Sequence, residues 1–128
     1  MAKVLDSTFL IDVIRGKNET KKVLGEKELF TTQINLYEVV RGLFLRNVST
    51  SKVQETLLVL SDVKTLPLDD DALLLSAEIS ANLIKMGVAV DDADCLIAGM
   101  ALSKGVNTIV TRNREHFSRI PEIKVETY

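Results

Sequence analysis

Short apolar segments alternate with longer segments of helical periodicity along the whole chain of 128 residues. Strands are predicted at 2–6, 63–66, 108–111 and 123–127, and helices at 9–14, 19–25, 34–47, 51–61, 69–86 and 92–104, with a helical turn at 114–118. Residues 29–32 fit either a strand or a helix. Strands that alternate with helices in this way favour an α/β sandwich, in which helices flank a short, mainly parallel central sheet.

The length and composition indicate one ordered domain, residues 1–128, with no linker and no internal repeat. The apolar share of 46% and the charged share of 27% exclude a disordered chain. One cysteine and one histidine exclude an internal disulfide and a Cys/His zinc site. No apolar run reaches the ~18 residues that a membrane span needs, and Asp6 interrupts any signal-peptide core, so we expect a cytoplasmic protein.

Acidic residues are concentrated in one part of the chain, although the net charge is only −2. Residues 61–102 carry eight Asp or Glu and two Lys or Arg, whereas both flanking parts are mildly basic. This distribution suits a cation site that a polyanion approaches. It suits a solvated helix face equally well, so charge alone decides nothing.

Two polar residues are predicted to lie at the carboxyl ends of strands, where parallel sheets bind their ligands. Asp6 ends the first predicted strand, and Asn113 follows the strand 108–111 by two residues. Both would project over one edge if those strands are neighbours. Asp6 is also compatible with an ordinary turn, since Ser7 beside it is a good N-cap for the next helix.

Glu38 lies inside an apolar helical segment and shares a face with Ile34 and Leu45. A carboxylate in such surroundings is costly unless it is paired or bound to a metal. Arg41, three residues later, offers a plain ion pair as the alternative explanation.

Asp94 lies on the small apolar face of its helix, in line with Ile97. The helix dipole explains an acid in the first turn, but it does not explain an acid on the packing face. Asp91 lies on the same side and is interpreted as a cap or peripheral ligand. Asp92 is rotated away and is expected to be solvated.

Three inward-facing acids from separate elements repel one another unless a cation lies between them. The set of Asp6, Glu38 and Asp94 offers oxygen ligands only, which favours Mg²⁺ or Mn²⁺ over zinc. Such an ion activates water and neutralises the charge that develops on a phosphate. The residues therefore predict hydrolysis of a phosphodiester without a protein nucleophile.

Four segments resemble, in order, the motifs of PIN domains, particularly the small VapC-type toxins. They are VLDSTFLID (4–12), EVVRG (38–42), DCLIAG (94–99) and TRN (111–113), the last followed by His116 and Phe117. The resemblance extends over essentially the whole chain. It implies a PIN-like three-layer sandwich and a Mg²⁺-dependent endoribonuclease in which Mn²⁺ substitutes. It also implies a homodimer and inhibition by a small antitoxin protein, as in a VapBC-type toxin–antitoxin pair.

The resemblance also implies roles for particular residues of this chain. Asp6, Glu38 and Asp94 are the implied metal ligands and catalytic acids, and Thr8 is an accessory polar residue. Asn113 takes a fourth catalytic position, at which many PIN domains have Asp. The neutral amide there removes one anionic ligand, which weakens the case for a second tightly bound metal.

Three other functions are compatible with the sequence. A phosphatase could use Asp6 as its nucleophile, but Thr8 stands where such enzymes usually have a second Asp. A PIN-like module could bind RNA or protein without cutting, although binding-only relatives would be expected to lose some of the acids. A PIN nuclease of RNA maturation, rather than a toxin, usually carries extra domains.

Basic, aromatic and apolar residues give weaker indications. A phosphate-binding rim or scattered surface charge would explain five cations equally well: Arg15, Lys17, Arg112, Arg114 and Arg119. His116 is expected to be a packing or surface residue, and Cys95 a buried apolar one.

Two apolar clusters, 43–45 and 57–60, exceed what one small core needs. They predict an exposed patch for a second copy or an antitoxin. Tyr37 and Phe44 could stack on nucleobases, but their helical spacing favours packing in the core.

Overall fold

The computed structural model describes residues 1–128 and contains a five-stranded sheet in which all neighbouring strands are parallel. The strands are β1 (Lys3–Leu5), β2 (Leu29–Thr32), β3 (Lys64–Leu66), β4 (Thr108–Val110) and β5 (Lys124–Glu126), in the order β3-β2-β1-β4-β5. The predicted parallel α/β sheet is confirmed. The ambiguous segment 29–32 is a strand because it pairs with β1 and β3 on either side.

Six α-helices connect the strands, with bounds close to those that periodicity predicts. They are α1 (Ser7–Ile14), α2 (Lys21–Leu24), α3 (Gln33–Leu45), α4 (Thr50–Val59), α5 (Asp70–Lys85) and α6 (Asp92–Leu102), and short 3-10 turns span Asn18–Thr20 and Arg114–His116. The expectation that Ser7 caps α1 is wrong. Asp6 is the N-cap, and Ser7 is the first helical residue, so its hydroxyl is free for a distant partner.

The central strand β1 supplies both hydrophobic cores of the sandwich. Successive side chains of a strand point to opposite faces. Val4 packs with Ile109 against α5 and α6, whereas Leu5 packs with Val110 against α1 and α3. All four of these side chains are fully buried. Helices therefore cover both faces of the sheet, which confirms the three-layer architecture.

The strand order places a topological switch point beside β1. From β1 the chain proceeds outward to β2 and β3 on one side, and β4 and β5 extend the sheet on the other. Open parallel sheets bind ligands outside the carboxyl ends of the strands at such a point. Asp6 follows β1 directly and therefore lies there.

The helices α5 and α6 approach closely at Gly99 and Ser76. A Cβ atom on Gly99 would lie 1.9 Å from Ser76 Oγ and 2.7 Å from Ser76 Cα. Only a glycine leaves room for that approach. The contact fixes α6, the helix that carries Asp94, against the rest of the domain.

An apolar groove of about 700 Å³ lies open between α3 and α4. Tyr37 and Phe44 line it and are 60% and 47% exposed, so the expectation that they pack in the core is wrong. Their helical spacing places them on one stripe of α3, but no element of the chain covers that stripe. The predicted exposed patch is confirmed by Leu45 and Leu58, which are 76% and 71% exposed.

Candidate active site

Asp6 is anchored where β1 and β4 end side by side. Leu5 is paired with Val110, and the Asp6 amide donates to the Val110 carbonyl over 2.9 Å. Thr111, the first residue after β4, therefore faces Asp6. The Asp6 side chain is buried, and no cation contacts it.

Three side-chain donors hold the Asp6 carboxylate. Thr111 Oγ1 donates to Oδ2 over 2.8 Å, and Thr8 Oγ1 donates to the same oxygen over 3.3 Å. Asn35 Nδ2 donates to Oδ1 over 2.9 Å. Two carboxylate oxygens offer about four acceptor positions, so Asp6 retains room for a further ligand.

Glu38, on α3, is held by a hydroxyl group rather than by a cation. Ser7 Oγ donates to Glu38 Oε1 over 2.7 Å. Arg41, the predicted alternative partner, instead lies over the ring of Tyr37, with its Cζ 5.2 Å from the ring centroid. The ion-pair explanation of Glu38 is therefore wrong, and its charge is left for another use.

Asp94, in the first turn of α6, is the most strongly perturbed acid. Its pKa is raised to about 6, chiefly by burial and also by the charges of Asp6, Asp91 and Glu38, against the opposing effect of His116. His116 Nδ1 lies 3.8 Å from Asp94 Oδ2. The three predicted acids are therefore near enough for the charges of Asp6 and Glu38 to act on Asp94, and the space between them is the candidate site.

The remaining predicted positions lie at the edge of this space. Asn113 is exposed, and its backbone N–H donates to Thr111 Oγ1 over 3.1 Å. Asp91 is the N-cap of α6 but makes no side-chain cap bond, and Asp92 is exposed as expected. The Ser7 hydroxyl beside these carboxylates donates to Glu38, and the Cys95 thiol is buried. Carboxylates at the carboxyl end of a parallel sheet, without an activated Ser or Cys nucleophile, suit hydrolysis of a phosphodiester.

Comparison with known proteins identifies the family. The model of the family described as PIN domain matches residues 3–123. This chain belongs to the PIN-domain family. No helix of the domain has the length and apolar character that crossing a membrane requires.

Among related proteins, the match is to ribonucleases named VapC. "Ribonuclease VapC" of Rickettsia bellii is 30% identical, over 99% of this chain and 96% of that protein. "tRNA(fMet)-specific endonuclease VapC" of Salmonella typhimurium is 28% identical, over 98% and 96%. The crystal structure of DNA-bound VapBC from Salmonella typhimurium has a chain that is 28% identical and matches with a TM-score of 0.79, over 99% of this chain and 98% of that one. The domain is thus a ribonuclease of the VapC type.

PIN-domain ribonucleases are metal-dependent in general, and the donor set of this PIN domain fits a hard divalent cation. Asp6, Glu38 and Asp94 offer carboxylate oxygens only, and a cation would relieve their mutual repulsion. No group of three or more His, Cys, Asp or Glu side chains is arranged to hold an ion directly. The fit is therefore one of charge and ligand type, and it requires water between some ligands and the ion.

The predicted phosphate-binding rim is largely committed to contacts within the protein. Arg112 Nη1 and Lys17 Nζ lie 3.2 and 3.5 Å from Asp12 Oδ1. Arg119 Nη1 donates to the Ala89 carbonyl over 2.8 Å. Arg15 and Arg114 make no ion pair.

Asp12 is a buried acid for which no role is predicted. Tyr128 Oη donates to Asp12 Oδ2 over 2.5 Å, and the Tyr128 ring packs edge-on against Phe9. Burial would raise the Asp12 pKa, but the Tyr128 hydrogen bond and the charges of Arg112 and Lys17 outweigh it and lower the pKa. Asp12 thereby ties Arg112, next to Thr111, to the body of the domain.

Sequence reasoning missed three site residues: Ser7, Asn35 and Thr111. Ser7 has an equally good local explanation as a helix cap, and Asn35 as one polar residue within a helix. Thr111 lies in the fourth motif, in which Asn113 is the predicted site residue. One sequence feature could have indicated these residues. Each can donate a hydrogen bond and lies within three positions of a predicted acid or of the end of a strand.

Proposed function

We propose that residues 1–128 form a single PIN domain that acts in the cytoplasm as a Mg²⁺-dependent endoribonuclease, with Mn²⁺ as a substitute ion. Asp6, Glu38 and Asp94 would hold the ion, directly or through water. The observation that carries this proposal is that Asp6 and Glu38 are held by hydroxyl and amide donors with no cation beside them, while the buried Asp94 feels the charge of both. Such repulsion is costly to folding and is expected where acids are kept for function.

The residues of the chain would divide the work between them. The ion supplies positive charge at the phosphate and acidifies a water molecule. Asp6 and Glu38 already have fixed orientations, because hydroxyl and amide donors hold them. Asn113, exposed beside Thr111, is available to contact the RNA.

If water is the nucleophile, the end groups of the RNA products can be predicted and tested. Hydrolysis should leave 5′-phosphate and 3′-hydroxyl ends on the RNA. A 2′,3′-cyclic phosphate would contradict the proposal, since it requires attack by the 2′-hydroxyl of the RNA itself.

The direct test is cleavage of a mixed RNA pool by wild type, Asp94→Asn and Asp92→Asn. Wild type should cut with Mg²⁺ or Mn²⁺ and stop when EDTA is added. Asp94→Asn should lose cleavage, whereas Asp92→Asn should keep it, because Asp92 is an exposed acid on the same helix. Equal activity of wild type and Asp94→Asn would contradict the proposed site.

We further propose that the protein is the toxin of a VapBC-type pair, homodimeric and blocked by a small antitoxin. The VapBC complex of Salmonella typhimurium supports a partner of this kind. The open apolar groove between α3 and α4 offers surface for one. Expression should arrest growth for wild type but not for Asp94→Asn, and light scattering should give the mass of a dimer. Cleavage without growth arrest would favour a nuclease of RNA maturation.

A binding module that does not cut RNA is the second candidate. It is favoured by one observation, namely that the acids form no ready cluster of metal ligands. Retention of RNA without any cleavage in Mg²⁺ and Mn²⁺ would favour this function over the first.

A further inference from the structure

Asn35 is fully buried, and its side-chain amide makes three hydrogen bonds. Its Nδ2 donates to Asp6 Oδ1 over 2.9 Å and to Ser7 Oγ over 3.1 Å. Its Oδ1 accepts from Thr32 Oγ1 over 2.7 Å. Asn35 is 0% exposed, so water cannot replace any of these partners.

The direction of each hydrogen bond is fixed by the groups at the two ends. Thr32 Oγ1 accepts from the Asn35 backbone N–H over 3.1 Å and donates its own hydrogen to Asn35 Oδ1. The carboxamide must then direct both hydrogens of Nδ2 toward Asp6 and Ser7. If the amide were flipped, Oδ1 would face the Asp6 carboxylate, an unfavourable contact between two acceptors.

The same amide reaches the second acid through a hydroxyl. Ser7 Oγ has one hydrogen, which it donates to Glu38 Oε1 over 2.7 Å. Because Asn35 Nδ2 donates to Ser7 Oγ, that hydrogen is directed away from the Asn35 side chain. Glu38 is the nearer of its two acceptors, since the Asn35 backbone carbonyl lies 3.4 Å away. The N-cap Thr32 therefore orients the Asn35 side chain. Asn35 in turn orients the Asp6 carboxylate directly and the Glu38 carboxylate through the Ser7 hydroxyl.

We propose that Asn35 is a positioning residue of the acidic site, holding Asp6 directly and Glu38 through Ser7 so that both face the divalent cation. This inference rests on the proposed function of the site. Asn35 touches neither RNA nor ion, and it acts by removing the rotational freedom of two carboxylates. Partners of this kind, one contact away from a metal ligand, typically contribute 10–100-fold to affinity or activity.

The test is the affinity for Mn²⁺ alone, measured by the loss of the spin-resonance signal of the free ion, together with kcat and KM on RNA. Asn35→Ala should weaken Mn²⁺ binding at least ~10-fold. It should lower kcat by a similar factor and leave KM nearly unchanged, because it disturbs the acids rather than the RNA surface.

A second pair of variants covers the case in which Asn35→Ala fails to fold. Ser7→Ala cuts only the branch to Glu38 and should also weaken Mn²⁺ binding, whereas Ser7→Thr keeps the hydroxyl and should restore it. Thr20→Val is the control, since it removes a buried hydroxyl that donates only to the Lys17 carbonyl. It should bind Mn²⁺ as wild type does.

The possible outcomes separate this inference from the proposed function. Wild-type affinity and kcat in both Asn35→Ala and Ser7→Ala would overturn the inference while leaving the nuclease in place. Loss of the same size in Thr20→Val would overturn it too, because the effect would then be general destabilisation. A wild type that neither binds Mn²⁺ nor cuts RNA would remove the proposed function, and the inference with it.

Discussion

Asp6 and Thr111 each stand one residue beyond the end of neighbouring parallel strands, and the Thr111 hydroxyl donates to Asp6 Oδ2 over 2.8 Å. Parallel pairing of β1 and β4 brings the two residues together although 105 positions separate them in the chain. The sheet, rather than a local turn, therefore determines where the first acid points.

Replacing Thr111 with valine keeps the shape of this residue and removes the donor. A hydrogen bond to a charged group is worth ~1.5–3 kcal/mol, so we expect Thr111→Val to lower the free energy of unfolding by about 2 kcal/mol and to slow RNA cleavage. Thr108→Val, in the same strand, is the control. The Thr108 hydroxyl contacts only the Asn107 side chain, over 3.4 Å, and its loss should change little in a urea titration.

The Asp94 carboxyl should make stability depend on pH. Its pKa is raised from 3.8 to about 6, so the folded protein binds the proton more tightly and loses stability as pH rises through that window. In EDTA, Asp94→Asn should match wild type near pH 4 and exceed it by about 2–3 kcal/mol at pH 7, at 1.36 kcal/mol per pKa unit. Urea unfolding at several pH values measures this difference, and Asp92→Asn should show none.

Asp12 should have the opposite dependence on pH. Its pKa is lowered because the Tyr128 hydrogen bond and the charges of Arg112 and Lys17 outweigh burial. Asp12→Asn should therefore be less stable than wild type at pH 7, by about 2 kcal/mol. The deficit should shrink as pH falls and the wild-type carboxyl is protonated. A constant deficit at all pH values would mean that packing, not charge, matters here; the exposed Asp62→Asn is the control.

Two glycine substitutions should change the stability of the fold in opposite directions. Gly99→Ala places a Cβ 1.9 Å from Ser76 Oγ and should cost about 1–3 kcal/mol of stability as α5 and α6 separate. Gly42→Ala meets nothing within 4 Å, in the interior of α3, and should stabilise the helix by ~0.5–1 kcal/mol. Thermal unfolding of the two variants compares them directly. Equal effects would contradict the close contact between the helices.

The sheet and the three acids could be predicted from the sequence because each follows from a local pattern. Strand length, helical period and the position of a charge on an apolar face are all properties of neighbouring residues. Asp6, Glu38 and Asp94 are predicted in this way, and in the structure the charges of Asp6 and Glu38 act on Asp94.

The partners of those acids could not be predicted, because their roles depend on contacts between distant segments. Asn35 meets Asp6 across 29 positions, and Ser7 meets Glu38 across 31. A short polar residue near a helix start has an equally good local explanation as a cap. Tyr37 is predicted to pack in the core but is exposed, for a related reason. Periodicity defines a stripe on a helix but does not say whether another element covers it.

The central strand gives the first acid an unusual mechanical setting. Val4 and Leu5 are fully buried in opposite cores, and Asp6 follows them with no intervening residue. Moving the Asp6 backbone would require both cores to open, an event close to complete unfolding. An inhibitor of this protein is therefore not expected to act by displacing the Asp6 backbone. While an inhibitor covers the site, the strand that carries Asp6 stays folded and is ready to act once the inhibitor leaves.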